Sequence, residues 1–321
     1  MSDRPSTPSP EREGIVRDPL RELLAGSTPS TEKVHTYLAD TYVQESVDQL
    51  DRLGVDAAKF ATGHSLLLLK PDAIVARAVE PTLKWLANNE FRVVGAYRVP
   101  VDRHVARALW YFAWNIASPE RRRLADLLVG ISDVLVLVVH GPEGELPVSV
   151  RLTEAKGATD PRKRRPGELR YLLGRHNYLL NLVHSPDDPA DVLRELAVYF
   201  DERRRAAVIE EAGTGADRSA DAITIAQDLY AQAPARSFDR SDALARLLSD
   251  LERAYFTLPP ELDLESDTGC AQLLYSAWDA GQELDPWSVI VLGSYVLPMR
   301  TGTQPQTLRP VSAKEWLEGR P

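Results

Sequence analysis

The 321-residue sequence is poor in cysteine, has no long apolar run and carries no excess of basic residues. Its single cysteine, Cys270, excludes an intramolecular disulfide and a zinc site built from several thiolates. No run approaches the ~18 apolar residues that a membrane-spanning helix requires. The polar beginning MSDRPSTPSPEREG is also unlike a signal segment. These absences favour a soluble, cytoplasmic protein with no membrane partner.

Charge and hydrophobicity limit the function classes further. The formal net charge is −9, so a nucleic-acid partner is not expected. Hydrophobic residues make up 44% of the chain, which is enough for one large core or two modest cores. The composition therefore predicts a globular protein that does not bind nucleic acid.

Composition also divides the chain into four segments. Residues 1–30 are rich in Ser, Thr, Pro and charged residues, which predicts a disordered tail. Residues 31–62 show the apolar spacing of helices and form a predicted helical N-terminal extension. Residues 63–207 contain the strand-like apolar runs. Residues 208–321 are predicted to form a mainly helical C-terminal region whose segments are separated by Pro and Gly.

Four apolar runs within residues 63–207 predict β-strands. They are HSLLLLK, FRVVGAYRV, SDVLVLVVH and YLLNLVHS, and each is followed by proline or glycine. The stretches between them predict helices, one of which runs from Ile74 to Asn89 and is interrupted by Pro81. With the helices between the second and third strands taken as an insertion, the order is βαββαβ. This order predicts an α/β (α+β) fold with a ferredoxin-like sheet.

Three stretches of the same region carry polar chemistry. Taken alone, a strand-end lysine such as Lys70 is usually solvated, and an isolated histidine such as His184 is usually structural. The stretches contain, in this order, KPDA at residues 70–73, GATDP at 157–161, PGELR at 166–170 and NLVH at 181–184. In this order and at this spacing they resemble the nucleoside diphosphate kinase family, over about residues 64–207. The resemblance implies the same ferredoxin-like fold, with a helical hairpin between the second and third strands.

The resemblance also implies an enzyme, a phosphotransferase of the nucleoside diphosphate kinase type. His184 matches the histidine that accepts the terminal phosphoryl group of a nucleoside triphosphate and passes it to a nucleoside diphosphate or a related acceptor. A neutral imidazole can do this in two in-line steps. Glu195 matches the glutamate that orients the imidazole, because a hydrogen bond to one ring nitrogen leaves the other available.

Five further residues match nucleotide contacts of the family. Lys70 and Arg170 match its phosphate-contacting cations, and Thr159 matches its phosphate-contacting threonine. Asn181 matches the asparagine that contacts the sugar. Tyr111 falls where the family has a tyrosine next to the histidine, although core packing explains it equally well. The implied cofactor is Mg²⁺, bound with the nucleotide phosphates rather than in a protein metal cage.

The sequence departs from the family pattern at a second phosphate cation. The family places an arginine six residues before the threonine of its G-x-T segment, and here that residue is Thr153. Lys156 lies about one helical turn later and is a candidate substitute, and Arg151 is also near. Loss of a charge-assisted phosphate contact without replacement weakens phosphoryl transfer or nucleotide affinity.

Two more departures concern the base and the histidine. Arg121 falls where the family stacks the nucleobase on a phenylalanine, and no aromatic residue is close to it in the sequence; an arginine can also stack on a base. The serine two residues after the family's histidine is Pro186 here, and the glycine between them is Ser185. The nucleotide-binding groups are therefore expected to be remodelled.

Three hypotheses remain open at this stage. The first is a phosphohistidine kinase, the second is a non-catalytic nucleotide-binding or regulatory module, and the third is a purely structural use of the fold. The basic run at residues 162–165 is explained either by a polyphosphate site or by a solvated loop. The family forms homo-oligomers, but the flanking segments here could block or replace those contacts. The aromatic residues of the C-terminal region are expected in the core, and Cys270 is expected to be a buried small hydrophobic residue.

Overall fold

The computed structural model describes residues 18–174 and 176–319. Within these ranges four strands form one antiparallel sheet: β1 (His64–Leu69), β2 (Arg92–Val99), β3 (Val134–His140) and β4 (Val183–His184). Their order across the sheet is β2-β3-β1-β4, so β1 and β3 lie in the middle. This order confirms the predicted ferredoxin-like arrangement.

Helices already form before β1. They are α1 (Pro19–Ser27), α2 (Thr31–Tyr37), α3 (Thr41–Arg52) and α4 (Ala57–Gly63). Helix α1 corrects the prediction of a disordered tail over residues 1–30, of which residues 1–17 lie outside the described residues. The Asp18 side chain caps α1, Pro19 occupies its first position, and Leu24 is fully buried. The polar composition of residues 1–30 gave no indication of this helix start or of the buried Leu24.

The helices between the strands provide both crossovers and the predicted insertion. They are α5 (Pro71–Val75), α6 (Val79–Asn88), α7 (Arg103–Leu109), α8 (Pro119–Val129), α9 (Val148–Lys156) and α10 (Leu169–Leu172). The single helix predicted from Ile74 to Asn89 is wrong, because it is divided between α5 and α6. Pro81 lies in the first turn of α6, where its missing N–H is not needed for an intrahelical bond. Helices α7 and α8 form the insertion between β2 and β3.

The strand predicted over YLLNLVHS is also wrong in extent. Only Val183 and His184 pair with β1. The preceding Leu182 has a φ of 67°, which lies outside the β region. Before it, the amide oxygen of Asn177 accepts hydrogen bonds from two following backbone N–H groups and so closes a turn. The apolar side chains of this stretch are buried from a turn rather than from a strand.

Helices also follow β4 to the end of the described chain. They are α11 (Pro189–Tyr199), α12 (Glu202–Gly213), α13 (Ser219–Gln232), α14 (Arg240–Arg253), α15 (Asp267–Asp279), α16 (Pro286–Val296) and α17 (Ala313–Glu318). Helices α14, α15 and α16 pack with α8 around a core that includes Trp287 and Cys270, both buried as expected. Tyr255 differs from that expectation, since it is 94% exposed. No helix of the described residues has the length and apolar composition to cross a membrane.

Both faces of the sheet are covered by helices. Leu67 and Leu69 of β1 face a core that is closed by α6, α9 and α13, whereas Leu66 and Leu68 face a core closed by α3, α7, α11 and α12. Successive residues of a strand point to opposite faces. The continuous apolar run of β1 is therefore explained by burial on both sides, and segments from both ends of the chain contribute to that burial.

Candidate active site

His184 stands at the end of β4, where it pairs with Leu68 near the end of β1. Its Nε2 lies 2.8 Å from Oε1 of Glu195. A carboxylate only accepts hydrogen bonds, so in the neutral ring this contact places the proton on Nε2 and the lone pair on Nδ1. Glu195 reaches the ring because α11 starts just after β4 and carries it back about two turns later. The predicted pair of His184 and Glu195 is thus brought together.

Two aromatic side chains complete the surroundings of this pair. The hydroxyl of Tyr199 donates to the second carboxylate oxygen of Glu195 at 3.5 Å. The ring of Trp110 meets the ring of His184 edge to face, with 5.5 Å between centroids. The imidazole is therefore held on two sides, and its own side chain remains 21% exposed.

A cavity of about 710 Å³ opens at His184. This volume lies in the range of small-molecule sites, roughly 300 to 1,000 Å³. The sequence-predicted residues that line it are His184, Glu195, Lys70, Thr159, Arg170 and Asn181. Tyr111 is the predicted site residue that the cavity does not include.

The two predicted cations lie deep in the cavity wall. Lys70 is 6% exposed, and its Nζ donates to the backbone oxygen of Leu179 at 2.8 Å and lies 3.4 Å from Asp72. Burial lowers the pKa of Lys70 despite the attraction of Asp72. Arg170 is also buried, and burial followed by the charge of Arg164 lowers its pKa to about 10. Each cation would gain from an anion in the cavity, because little solvent stabilises its charge.

Arg170 also connects the loop after α9 to the end of β4. Its Nη1 donates to Oγ1 of Thr159 at 3.1 Å and to the oxygen of Gly157 at 3.0 Å, and its Nη2 donates to the oxygen of Val183 at 2.6 Å. Its Nε has no hydrogen-bond partner in the described residues. The guanidinium therefore positions Thr159 beside His184 and retains one unsatisfied donor.

Tyr111 lies away from the other predicted site residues. It is 65% exposed and makes an edge contact with Phe112, so it neither touches His184 nor packs in a core. Its neighbour Trp110 makes the contact with the histidine instead. Helix α7 ends at Leu109, and the following 3-10 turn points adjacent residues in different directions. Adjacent residues of this insertion therefore differ in whether their side chains reach the histidine.

Lys156, rather than Arg151, lines the cavity close to Thr153, the residue at which the family resemblance implies a second phosphate cation. Its Nζ donates to Oγ of Ser185 at 2.6 Å. Thr153, one turn earlier on α9, lies 2.9 Å from the same Ser185 oxygen. Arg151 instead stacks over Phe91 on the other side of the helix. Burial, followed by the charge of Arg170, lowers the pKa of Lys156 to about 7.

Aromatic rings are present at the outer end of the cavity, which the sequence neighbourhood of Arg121 does not reveal. The guanidinium of Arg121 lies 5.1 Å from the ring centroid of Tyr178 and 5.8 Å from that of Trp114. All three residues line the cavity. Aromatic residues therefore accompany Arg121 in the fold although none is close to it in the sequence, because two other segments supply these rings.

The basic run at residues 162–165 divides between two roles. Arg162 forms an exposed ion pair with Asp160 at 2.8 Å, as a solvated loop would. Arg164 is buried and donates to four backbone oxygens of the surrounding loops. Lys163 and Arg165 line the cavity. The run is thus partly structural and partly a positive border of the site.

The N-terminal extension reaches the cavity through α2. Lys33 donates to Asp188 at 2.8 Å and to Asp191 at 2.9 Å, and Tyr37 also donates to Asp191. Burial alone lowers the pKa of Lys33, but Asp188 and Asp191 outweigh it and raise this pKa above its ordinary value. Asp188 caps α11. The extension therefore grips the first turn of the helix that carries Glu195, and no local sequence signal predicts a contact over more than 150 residues.

The C-terminal strap, residues 300–312, forms the other outer wall. The N–H of Thr307 donates to the oxygen of Phe112 at 2.9 Å, and the N–H of Ala313 after the strap donates to Glu154 of α9 at 3.0 Å. Leu308 is buried in the same small core as Tyr37. The strap therefore spans from the insertion to α9, and its residues 306 and 308–312 line the cavity.

Residues 63–205 match the family model described as nucleoside diphosphate kinase. Among curated proteins, the nucleoside diphosphate kinase of Heliobacterium modesticaldum is 32% identical over 141 residues, which is 43% of this chain and 87% of that protein. The enzyme of Thermococcus kodakarensis is 29% identical over 139 residues, 43% of this chain and 76% of that protein.

Solved structures of nucleoside diphosphate kinases are also similar to part of the chain. The Halobacterium salinarum nucleoside diphosphate kinase in complex with CDP is 21% identical, with a TM-score of 0.38, and the match covers 43% of this chain and 87% of that one. The Borrelia burgdorferi enzyme with bound vanadate and ADP is 20% identical, with a TM-score of 0.37, over 44% and 88%.

Proposed function

This chain belongs to the nucleoside diphosphate kinase family, and on that premise we propose that it transfers the terminal phosphoryl group of a nucleoside triphosphate through His184. The acceptor is a nucleoside diphosphate or a related molecule. The observation that carries the proposal is the hydrogen bond from His184 Nε2 to Glu195, at 2.8 Å, in a cavity that also contains Lys70 and Arg170. The proposed nucleophile, the glutamate that orients it and two cations therefore line one cavity.

The transfer takes two balanced steps. In the first, the lone pair on His184 Nδ1 forms a bond to the terminal phosphorus, the bond to the bridging oxygen breaks, and the diphosphate leaves with that electron pair. The ring keeps its Nε2 proton and becomes a cation, which the Glu195 carboxylate stabilises. In the second step, a terminal oxygen of the acceptor attacks the phosphorus, and the P–N bond breaks to restore the neutral ring.

In this proposal the nucleotide phosphates bind at one end of the cavity, the phosphate end, and the base binds at the other, the base end. Lys70 and Arg170 lie at the phosphate end, where their charges stabilise the oxygens of the transferring group. Asn181 lies near the sugar position, and its Nδ2 donates to the oxygen of Tyr178 at 2.9 Å. Trp114 and Tyr178 offer flat apolar surfaces to the base, and stacking on such rings is tolerant of base identity.

The donor set fits Mg²⁺ held mainly by phosphate oxygens. Among the described residues, no group of three or more His, Cys, Asp or Glu side chains forms a metal cage. Asp187 is the carboxylate of the cavity wall that could contact such an ion, because the others already accept hydrogen bonds: Glu154, Glu168, Asp191 and Glu195. Mg²⁺ bound with the nucleotide would neutralise phosphate charge and orient the terminal phosphoryl group.

The proposal is tested by intact-mass spectrometry after incubation with ATP and Mg²⁺. The wild-type protein should gain the mass of one phosphoryl group, and acid should remove it. His184→Ala should remain unmodified, whereas His104→Ala, a control at an exposed histidine of α7, should be labelled like the wild type. An unlabelled wild-type protein that still binds ATP in calorimetry would instead support the non-catalytic nucleotide-binding module.

A further inference from the structure

Lysines buried in the cavity wall differ in what neutralises them. Lys33 contacts two carboxylates, at 2.8 and 2.9 Å. Lys70 has Asp72 at 3.4 Å. Lys156 is 4% exposed, and the described oxygens within 3.5 Å of its Nζ are neutral ones of Ser185 and Thr153. An ammonium group buried without a carboxylate partner is costly. Lys156 is therefore the buried lysine whose counter-charge is missing.

The neighbours of Lys156 place that missing charge close to the nucleophile. Ser185 directly follows His184, and its hydroxyl accepts from Lys156 at 2.6 Å. Thr153, at 2.9 Å from the same hydroxyl, holds it from the other side. Gly157, with a φ of 87°, ends α9 directly after Lys156 and turns the chain toward Thr159. The ammonium therefore contacts the residue that follows His184, and Lys156, Ser185 and His184 line the same cavity.

We propose that Lys156 and the Ser185 hydroxyl contact the oxygens of the phosphoryl group while it is bound to His184. This inference rests on the proposed function and adds a phosphoryl-binding residue to it. The cation comes from the last residue of α9 rather than from the position of Thr153, where the family resemblance implies an arginine. The anion supplies the counter-charge that the folded chain lacks within hydrogen-bond distance of Lys156, and the Ser185 hydroxyl can turn its proton from Thr153 Oγ1 to a phosphoryl oxygen.

Titration of Lys156 supports the same assignment. The charged groups that face it are Arg170 from α10, Asp187 from the turn after β4 and Glu195 from α11. Burial and then Arg170 lower its pKa to about 7, while the two acids act in the opposite direction. A phosphoryl group adds negative charge and so favours the ammonium. Above pH 7, binding of ATP should therefore bring a proton to Lys156.

The first test compares single-turnover labelling of Lys156→Met, Lys156→Arg and the wild type by ATP. Lys156→Met should slow labelling by about 100-fold, the effect of losing one preorganised contact to transition-state charge. Lys156→Arg should recover most of the rate, because it restores a cation at the same place. Lys59→Met, at an exposed lysine of α4, should behave like the wild type. Equal rates in Lys156→Met and the wild type would overturn the inference.

The pH dependence separates this role from a structural one. The wild-type rate constant for labelling at low ATP should fall as pH rises through about 7, because the free enzyme loses the ammonium charge there. In Lys156→Arg this fall should disappear, since arginine stays charged. An unchanged alkaline fall in Lys156→Arg would contradict the assignment.

Calorimetry of ATP binding at pH 8 in two buffers of different ionisation enthalpy provides a readout that does not depend on catalysis. The wild type should take up more protons than Lys156→Met, and the difference isolates Lys156 from Lys70 and Asp187, which both proteins retain. Labelled wild type with identical proton uptake in the two proteins would refute this inference alone. Absence of label in the wild type would refute the proposed function. Circular dichroism would establish that the variant is folded.

Discussion

The inner and outer walls of the cavity come from different parts of the chain. The inner wall, with His184, Lys70 and Arg170, lies within the family-matched residues 63–205, whereas α2 and the C-terminal strap lie outside them. The inner wall contains buried cations whose charge an anionic substrate would stabilise. The outer wall is already neutralised, because Lys33 is paired with two carboxylates. The shared fold thus supplies chemistry, and the added segments fix the geometry around it.

The largest expected effect breaks the outer wall. Lys33→Met leaves the buried acids Asp188 and Asp191 without their cation, and loss of one partner of a buried pair costs about 3–5 kcal/mol. The free energy of unfolding, measured with urea, should fall by that amount. Lys59→Met serves as the exposed control. A loss below about 1 kcal/mol, the range of surface pairs, would mean that α2 does not hold the first turn of α11.

The next effect concerns the inner wall and should leave stability almost unchanged. Glu195→Gln keeps the size of the side chain but removes the charge that stabilises the His184 cation during transfer. We expect the single-turnover labelling rate to fall by about 100-fold, within the range of electrostatic contributions at active sites. The same urea titration should place its unfolding close to that of the wild type. A wild-type labelling rate would show that orientation of the ring does not require the carboxylate.

A smaller effect is expected at the base end, where the two walls meet. Trp114→Ala should weaken ATP binding by about 1–3 kcal/mol, the value of base stacking on one aromatic ring. Binding of inorganic tripolyphosphate, which has no base, should not change, and calorimetry with both ligands measures the difference. Equal weakening for the two ligands would place the role of Trp114 in support of Arg121 and the phosphate end.

The smallest effect is expected at Tyr111, in the insertion between β2 and β3. Tyr111→Ala should change neither labelling nor ATP binding by more than about 2-fold, because an exposed side chain away from special features contributes little. Trp110→Ala, at the neighbouring residue that contacts His184, is the matched comparison and should slow labelling. Loss of activity in Tyr111→Ala would return this tyrosine to the site.

Local sequence patterns were sufficient where the physics is local. The apolar runs predict the strands because residues buried on both faces of β1 and β3 must all be apolar. Motif spacing predicts the positions of His184, Glu195 and Lys70 because each lies at the end of a strand or on the helix that directly follows it, whereas Arg170 reaches the cavity from α10. The predictions were wrong where local conformation overrides composition. Examples are the turn before β4, which was predicted as strand, and Tyr111, whose side chain points away from His184.

From the sequence alone follow the family fold and the prediction that His184 and Glu195 act as a pair. The folded chain adds that Lys156 lines the cavity near Thr153, that aromatic rings accompany Arg121, and that Lys33 pairs with Asp188 and Asp191. These contacts join segments far apart in the chain. Their energies depend on burial and distance, which no single stretch of sequence encodes.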